Sequence, residues 1–266
     1  MLDRFNRKIS YLRISVTDRC NLRCIYCMPE EGVSLKKHED ILTLEEITEV
    51  VQTGVKLGIS KVRLTGGEPL VRKGIASLIE KLQAVEGIED LGLTTNGVLL
   101  SKMAEDLRSA GLQRLNISLD TLDPLKYRNI TKNGNLQDVL DGINEAVRLG
   151  FDPIKINFVR LTNVNENDEE EVRRFCKERG LKLRFIQQMN LETGDFSEVE
   201  GGTGGVCKIC NRLRLTSDGN IVPCLFSNHG YNIREMGIEE AFYKALQMKP
   251  ESGDRTHAHG FYNIGG

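Results

Sequence analysis

The chain has 266 residues, enough for one large domain or one domain with a small annex. Lys and Arg number 36 against 38 Asp and Glu, a formal charge of -2. That balance gives no overall electrostatic case for nucleic acid or an anionic membrane, while a local basic pocket stays open. The opening M-L-D-R-F-N-R-K is charged, without an apolar signal-peptide core, and no apolar run reaches transmembrane length. The expectation is therefore a cytoplasmic protein, where the seven cysteines stay reduced and clusters of them favour metal over disulfide.

Apolar, β-rich runs alternate with helical patterns. Residues 11–17 predict a strand. Cys20, Cys24 and Cys27 follow it in a loop, a CxxxCxxC run. Three thiolates at that spacing can hold three irons of a [4Fe–4S] cluster and leave the fourth open to a small molecule. The plain alternative is zinc or three buried thiols, but structural zinc usually takes four ligands in paired sets, and this triplet stands alone.

A helix is predicted over 42–57, with Thr43 as N-cap and Glu46 three residues on, a capping-box pattern. Strands are predicted at 61–65, 90–95, 114–119, 154–161 and 182–186, with helices at 75–85, 102–110, 136–149 and 168–178. Such alternation implies parallel strands joined by right-handed crossovers. Six units fit a partial, open (βα)6 TIM-like barrel, in which reactive groups gather at the C-terminal ends of the strands. The suggestive residues fall at such ends: the cysteine triplet after strand one, Gly66-Gly67-Glu68-Pro69 after strand two, Thr94-Thr95-Asn96-Gly97 after strand three, and Ser118-Leu119-Asp120 after strand four. Lys155 and Asn157 lie on strand five and Arg184 on strand six.

The pattern changes after Met189. Residues 190–206 are short, polar and glycine-rich, reading as a loop between a barrel at 1–189 and a small C-terminal domain at 190–266. The second region carries Cys207, Cys210 and Cys224, again three cysteines. They suit a second [4Fe–4S] cluster with an open iron, or zinc completed by His229. Cys176, at helical spacing from Val172 and Phe175, reads as a small buried hydrophobe. In N-R-L-R-L-T-S-D-G the alternation puts Arg212 and Arg214 on one strand face and the leucines on the other. With Arg13, Arg63, Lys155 and Arg184 at the barrel rim, the cations point to an anionic substrate gripped through phosphate.

The stretch L-R-I-S-V-T-D-R-C-N-L-R-C-I-Y-C-M-P-E-E-G-V resembles the N-terminal signature of the GTP 3′,8-cyclase (molybdenum cofactor biosynthesis protein A) family of the radical S-adenosylmethionine (SAM) superfamily. V-R-L-T-G-G-E-P-L, L-T-T-N-G, L-N-I-S-L-D, L-R-F-I-Q-Q-M, C-K-I-C-N-R-L-R-L-T-S-D-G-N-I-V-P-C-L-F and the terminal Gly265-Gly266 are similar too, so the resemblance covers almost the whole chain. It implies cyclisation of GTP, the first step toward molybdopterin, by a radical SAM lyase with SAM and two [4Fe–4S] clusters. Cys20, Cys24 and Cys27 would hold the SAM cluster, and Cys207, Cys210 and Cys224 a substrate-side cluster that binds the purine. Tyr26, Gly67, Glu68, Ser118, Asn157 and Met189 would contact SAM. Arg13, Arg63, Thr94, Lys155 and Arg184 would grip the nucleotide together with Arg212 and Arg214, and these two arginines with Gly265 and Gly266 would serve catalysis. An electron donor such as ferredoxin or flavodoxin and a downstream pterin-forming enzyme are the implied partners. The seventeen residues between Met189 and Cys207 depart from the family, whose longer segment there helps wall the nucleotide pocket. That shortening leaves room for a related radical SAM enzyme acting on a peptide or another nucleotide. A non-enzymatic reading is a zinc-bound, RNA-binding scaffold, against which the 6% aromatic content and near-neutral charge argue.

Overall fold

In the computed structural model, residues 1–28, 33–257 and 260–264 are described. Six strands lie close to where the apolar runs place them: β1 (Tyr11–Ser15), β2 (Lys61–Thr65), β3 (Asp90–Thr95), β4 (Arg114–Ser118), β5 (Ile154–Arg160) and β6 (Lys182–Gln187). They pair side by side, all parallel, in the order β6-β5-β4-β3-β2-β1. The crossovers carry α1 (Leu44–Lys56), α2 (Ile75–Gln83), α3 (Leu100–Ser109), α5 (Leu136–Arg148) and α6 (Glu169–Glu178). An additional helix, α4 (Pro124–Thr131), precedes α5; Asp123 caps it by accepting from the N–H groups of Leu125 and Lys126, and Pro124 opens it. That D-P start is a readable signal that hydrophobic periodicity alone passes over. The capping box of α1 is present, Thr43 with Glu46. β1 stops at Ser15, short of the expected Thr17, because the Thr17 carbonyl turns to accept from Gly67 N–H at 2.8 Å.

Binary patterning decides which strand face meets the helices. Leu12 and Ile14, Leu64, Leu93, Leu115 and Ile117, and Ile156 and Phe158 are fully buried in one continuous core with α1, α2, α3, α5 and α6. Each such side chain contributes about 1.5–3 kcal/mol of burial. Successive side chains of a strand point to opposite faces, so the polar residues between the apolar ones line the barrel interior.

The sheet continues past residue 189. β7 (Arg212–Leu215) pairs parallel with β1, and β8 (Asn220–Val222) and β9 (Tyr231–Asn232) follow antiparallel. α7 (Ile233–Met236) and α8 (Ile238–Gln247) lead back, and Phe242 of α8 is fully buried in the main core. A smaller apolar cluster joins Leu191, Val222, Leu225 and Phe226 to Ile264 of α9 (Phe261–Ile264), which brings the end of the chain back to the barrel mouth. Among the described residues no helix is long and apolar enough to cross a membrane.

Candidate functional site

At the C-terminal rim a cleft partly open to solvent is lined by Cys20, Cys24 and Cys27. Tyr26, Gly67, Glu68, Thr94, Ser118, Asn157 and Met189 line the same cleft. All three expected cluster thiols and all six expected SAM contacts thus share one cavity. Two backbone bonds set the wall: Gly67 N–H to Thr17 O and Glu68 N–H to Arg19 O, both 2.8 Å. A Cβ at Gly67 would collide with the Arg19 carbonyl, so glycine is needed where the G-G-E-P turn meets the cysteine loop. Glu68 is buried, and its carboxylate accepts from Thr95 Oγ1 (2.7 Å), Asn96 N–H (2.7 Å) and Leu70 N–H (3.0 Å), tying the ends of β2 and β3 together. Burial pushes its carboxyl up to about 7 against those three donors. Tyr26 donates its hydroxyl to Asp120 Oδ2 at 2.8 Å, while Asp120 Oδ1 accepts from Val159 N–H at 2.8 Å. The tyrosine therefore presents its ring to the cleft. Thr65, Asn96, Gln188 and Phe261 also line the cleft; the first three stand on or beside the quoted motifs, and Phe261 is brought there only by the returning chain end.

The first triplet has acidic neighbours, Asp120 acting on Cys24 and Glu68 on Cys20. Cys20 Sγ accepts from Leu22 N–H (3.4 Å) and Asn96 Nδ2 (3.8 Å). Burial pushes the thiol of Cys27 up to about 12 and raises those of Cys20 and Cys24. Among the described residues no three of His, Cys, Asp and Glu converge as a single metal ion would require. A cubane cluster instead takes its thiolates at separate corners. In the cleft, Thr65 Oγ1, Thr94 Oγ1 and Asn157 Oδ1 are buried with no partner. An apolar cleft edged by orphaned hydroxyl and amide groups fits a zwitterionic, hydroxyl-rich ligand such as SAM.

Inside the barrel the strand register builds a row of cations. Arg214 of β7 stands beside Arg13 of β1, and Arg13 beside Arg63 of β2. Arg63 is 4% exposed and donates Nη1 to Asn116 Oδ1 on β4 at 2.9 Å. It reaches across β3 at Gly92, where a Cβ would sit 2.8 Å from its Cζ. A glycine inside a strand marks such an approach, and the L-G-L of β3 is the signal that sequence reasoning missed. Tyr11, one row below and beside Arg212, is a second addition. Burial pushes its phenol up, yet the charges of Arg13, Arg63 and Arg212 outweigh that and bring it below its ordinary value. Burial lowers Arg13 to about 10, and Arg212, Arg63 and Arg184 push it the same way. Burial, then Arg184, Arg114 and Arg63, bring Lys155 down to about 8. The Nε atoms of Arg63 and Arg184 are buried without an acceptor. The six expected cations thus share one interior below the cleft, and they raise each other's free energy in a way that an entering anion relieves.

The glycine-rich stretch proves to be a strap rather than a free linker. Glu200 pairs with Phe185 through two backbone bonds of 3.0 and 3.1 Å, on the outer edge of β6. On the other side Arg212 Nη2 donates to Thr203 O at 2.9 Å. Residues 200–203 therefore bridge the lateral gap of the partial barrel, between β6 and β7. Cys207, Cys210 and Cys224 lie beyond this strap, outside the lining of the main cleft, and all three are partly buried. Their setting is cationic. Burial pushes the Cys210 thiol up, but the Lys249 ammonium and the guanidiniums of Arg212 and Arg214 bring it below its ordinary value. Gly265 and Gly266 lie outside the described residues.

A parallel partial barrel with an open three-thiolate site at its rim defines the radical SAM class. The radical SAM superfamily model matches residues 14–176. Among solved structures, anSMEcpe with bound AdoMet superposes with a TM-score of 0.65 over 91% of this chain and 78% of its own, at 15% identity. Methylornithine synthase does so at 0.55 over 95% and 75%, at 16% identity. In sequence the chain is 42% identical to the GTP 3′,8-cyclase of Alkaliphilus oremlandii over all of both chains. It is 42% identical to that of Thermodesulfovibrio yellowstonii over 94% of this chain and 95% of the relative. The chain belongs to the GTP 3′,8-cyclase family of radical SAM enzymes. The Alkaliphilus match spans 320 positions against the 266 residues here, so that relative carries residues this chain lacks.

Proposed function

We propose that this chain is a radical SAM lyase that cyclises GTP to (8S)-3′,8-cyclo-7,8-dihydroguanosine 5′-triphosphate, the entry to molybdopterin. The observation that carries this reading is the cation row of Arg214, Arg13 and Arg63, buried beneath the three-thiolate cleft. Such a row suits a triphosphate and gives a neutral peptide nothing to answer it. Similarity along the full length of curated cyclases supports the same substrate.

Cys20, Cys24 and Cys27 would hold one [4Fe–4S] cluster, which with SAM on its open iron supplies a 5′-deoxyadenosyl radical. Gly67 and Glu68 would receive the SAM amino group, with Tyr26, Ser118, Asn157 and Met189, which line the same cleft, as the remaining wall. Arg13, Arg63, Lys155, Arg184, Arg212 and Arg214, with Thr94 at the rim, hold the triphosphate and so fix the ribose against the SAM cleft. Cys207, Cys210 and Cys224 would hold a second [4Fe–4S] cluster facing the purine. The strap at 200–203 screens that space from bulk water on the open side of the barrel. Gly265 and Gly266 complete the catalytic set, a ferredoxin or flavodoxin supplies electrons, and a pterin-forming enzyme takes the product.

The test is an anaerobic assay with reconstituted protein, SAM, reductant and GTP. The expected result is cyclised nucleotide and 5′-deoxyadenosine formed together. Cleavage of SAM without cyclised nucleotide, with both cysteine sets loaded, removes GTP as the substrate.

A further inference from the structure

Two buried cations outside the substrate row converge on the second cysteine set. Lys249 lies two residues past the end of α8, after its C-cap Met248, and is 1% exposed. Its Nζ donates to Arg212 O (2.6 Å) and Pro223 O (2.8 Å) and lies 3.6 Å from Cys210 Sγ. Those acceptors belong to separate pieces of the chain. Cys210 closes the CxxC with Arg212 two residues on, and Pro223 immediately precedes Cys224. One ammonium thus joins the two halves of the triplet.

Arg7, 8% exposed, comes from the opposite end of the sequence. Its Nη1 donates to Cys207 O (2.8 Å) and Glu251 O (2.9 Å), and its Nη2 to Pro250 O (2.6 Å). Asp3 Oδ2 accepts from its Nε at 2.6 Å and fixes the guanidinium plane. Arg7 therefore holds the third cysteine and also the two residues after Lys249. Each of Cys207, Cys210 and Cys224 has one of these cations on it or on its neighbour. At the first triplet the cation is an exposed one: Arg23 donates Nη1 to Cys20 O at 2.8 Å, while Cys20 Sγ accepts from a backbone N–H and an amide.

Lysine is seldom fully buried unless its charge is answered. Two carbonyls satisfy hydrogen bonds of Lys249 but do not cancel its charge. An anionic cluster held by Cys210 would do both. Hydrogen bonds to cluster sulfurs and nearby charge set reduction potentials, and a cation at contact favours the more negative, reduced state.

We propose that Lys249 and Arg7 form a cationic clip that preassembles the second cysteine set, and that Lys249, donating to Cys210 Sγ, raises the reduction potential of the [4Fe–4S] cluster held there. This rests on the second-cluster reading. Lys249 is a positioning residue, touching a ligand and not the substrate.

The experiment uses the full chain, reconstituted anaerobically, as wild type, Lys249→Met, Lys249→Arg and Cys210→Ala. Iron and sulfide content, the spin-resonance spectrum of the reduced protein and a redox titration are measured, with uncoupled SAM cleavage as the gauge of the first cluster. In wild type, lysine labelled isotopically at Nζ should show hyperfine coupling to the second cluster, a readout that needs no variant. Lys249→Met should lose the second cluster's iron or hold it at a more negative midpoint, with SAM cleavage kept. Lys249→Arg, retaining charge and donors, should keep that iron. If Lys249→Met carries two clusters at the wild-type midpoint, or the labelled nitrogen shows no coupling, the clip is overturned while the second cluster stands. If wild type holds one cluster's worth of iron, unchanged in Cys210→Ala, the second-cluster reading falls and the clip falls with it.

Discussion

Arg214 and Gly92 illustrate opposite routes by which single residues build this site. Arg214 is legible from R-L-R-L, because strand alternation alone assigns it a face. Its guanidinium is buried and donates Nη1 to Ile264 O at 3.3 Å, so the chain end lies against it. A charge-assisted hydrogen bond is worth roughly 1.5–3 kcal/mol. Arg214→Ala should then weaken GTP binding about ten- to a hundred-fold, with iron content and uncoupled SAM cleavage near wild type. Arg214→Lys should recover part of that loss, since it restores charge without the planar fork. Equal GTP affinity in all three proteins, measured at two salt concentrations, would remove Arg214 from the grip. Gly92 is invisible as a functional residue until β3 is set beside β2. Gly92→Val drives a branched side chain into the Arg63 guanidinium. It should cost about tenfold in GTP affinity, the equivalent of one such bond, again sparing SAM cleavage. Unchanged affinity would mean that Arg63 does not need its present place.

At the scale of elements, α1 and α7 are joined by an ion pair with a defined pH signature. Arg234 Nε and Nη2 meet Glu46 at 2.7 and 2.9 Å, on top of the capping-box contact to Thr43. The Arg234 bond, against a smaller effect of burial, holds the Glu46 carboxyl down at about 2. A depressed carboxyl contributes stability that is complete above its ordinary value of 4.5 and fades as pH falls through about 2. The pair is partly exposed and screened, so the contribution is about 1 kcal/mol. Glu46→Gln should be less stable than wild type by that amount at neutral pH in urea titrations. The gap should close on acidification across that window; a pH-independent gap would mean that packing, not charge, is at stake. The strap makes a second prediction at this scale. Glu200→Pro removes the N–H that donates to Phe185 O and should loosen the wall between β6 and β7. Weaker GTP binding by several-fold is expected, about 1 kcal/mol for one backbone bond. Glu200→Ala keeps the backbone pair and loses only the exposed ion pairs to Arg160 and Arg173, so it should bind GTP as wild type does.

For the whole molecule, one sheet and one main core run through both cysteine regions. Phe242 of α8 packs its ring 3.1 Å from the position a Cβ on Gly54 of α1 would take. The late helix is thus part of the early barrel's core. Phe242→Ala should destabilise the chain by about 3–5 kcal/mol. Loss should come in a single cooperative transition that takes both regions together. Two separated transitions in that variant would show the regions folding independently. Shared packing also explains how Arg7 near one end can hold Cys207 and residues 250–251 near the other.

Spacing and alternation by themselves determined the cysteine sets, the six parallel units and the inward face of the cations. Those features follow from local periodicity and from ligand intervals, which a linear chain displays. The capping box of α1 belongs with them, since all its atoms lie within four residues. Only the tertiary structure decided that a glycine-rich stretch closes the barrel, that Gly92 admits Arg63, and that Lys249 and Arg7 meet the second cysteine set. Each of these joins residues distant in sequence, and the strap, Lys249 and Arg7 do so largely through backbone carbonyls that carry no side-chain signature. Their partners exist only once strand register and the return of the chain end have placed them.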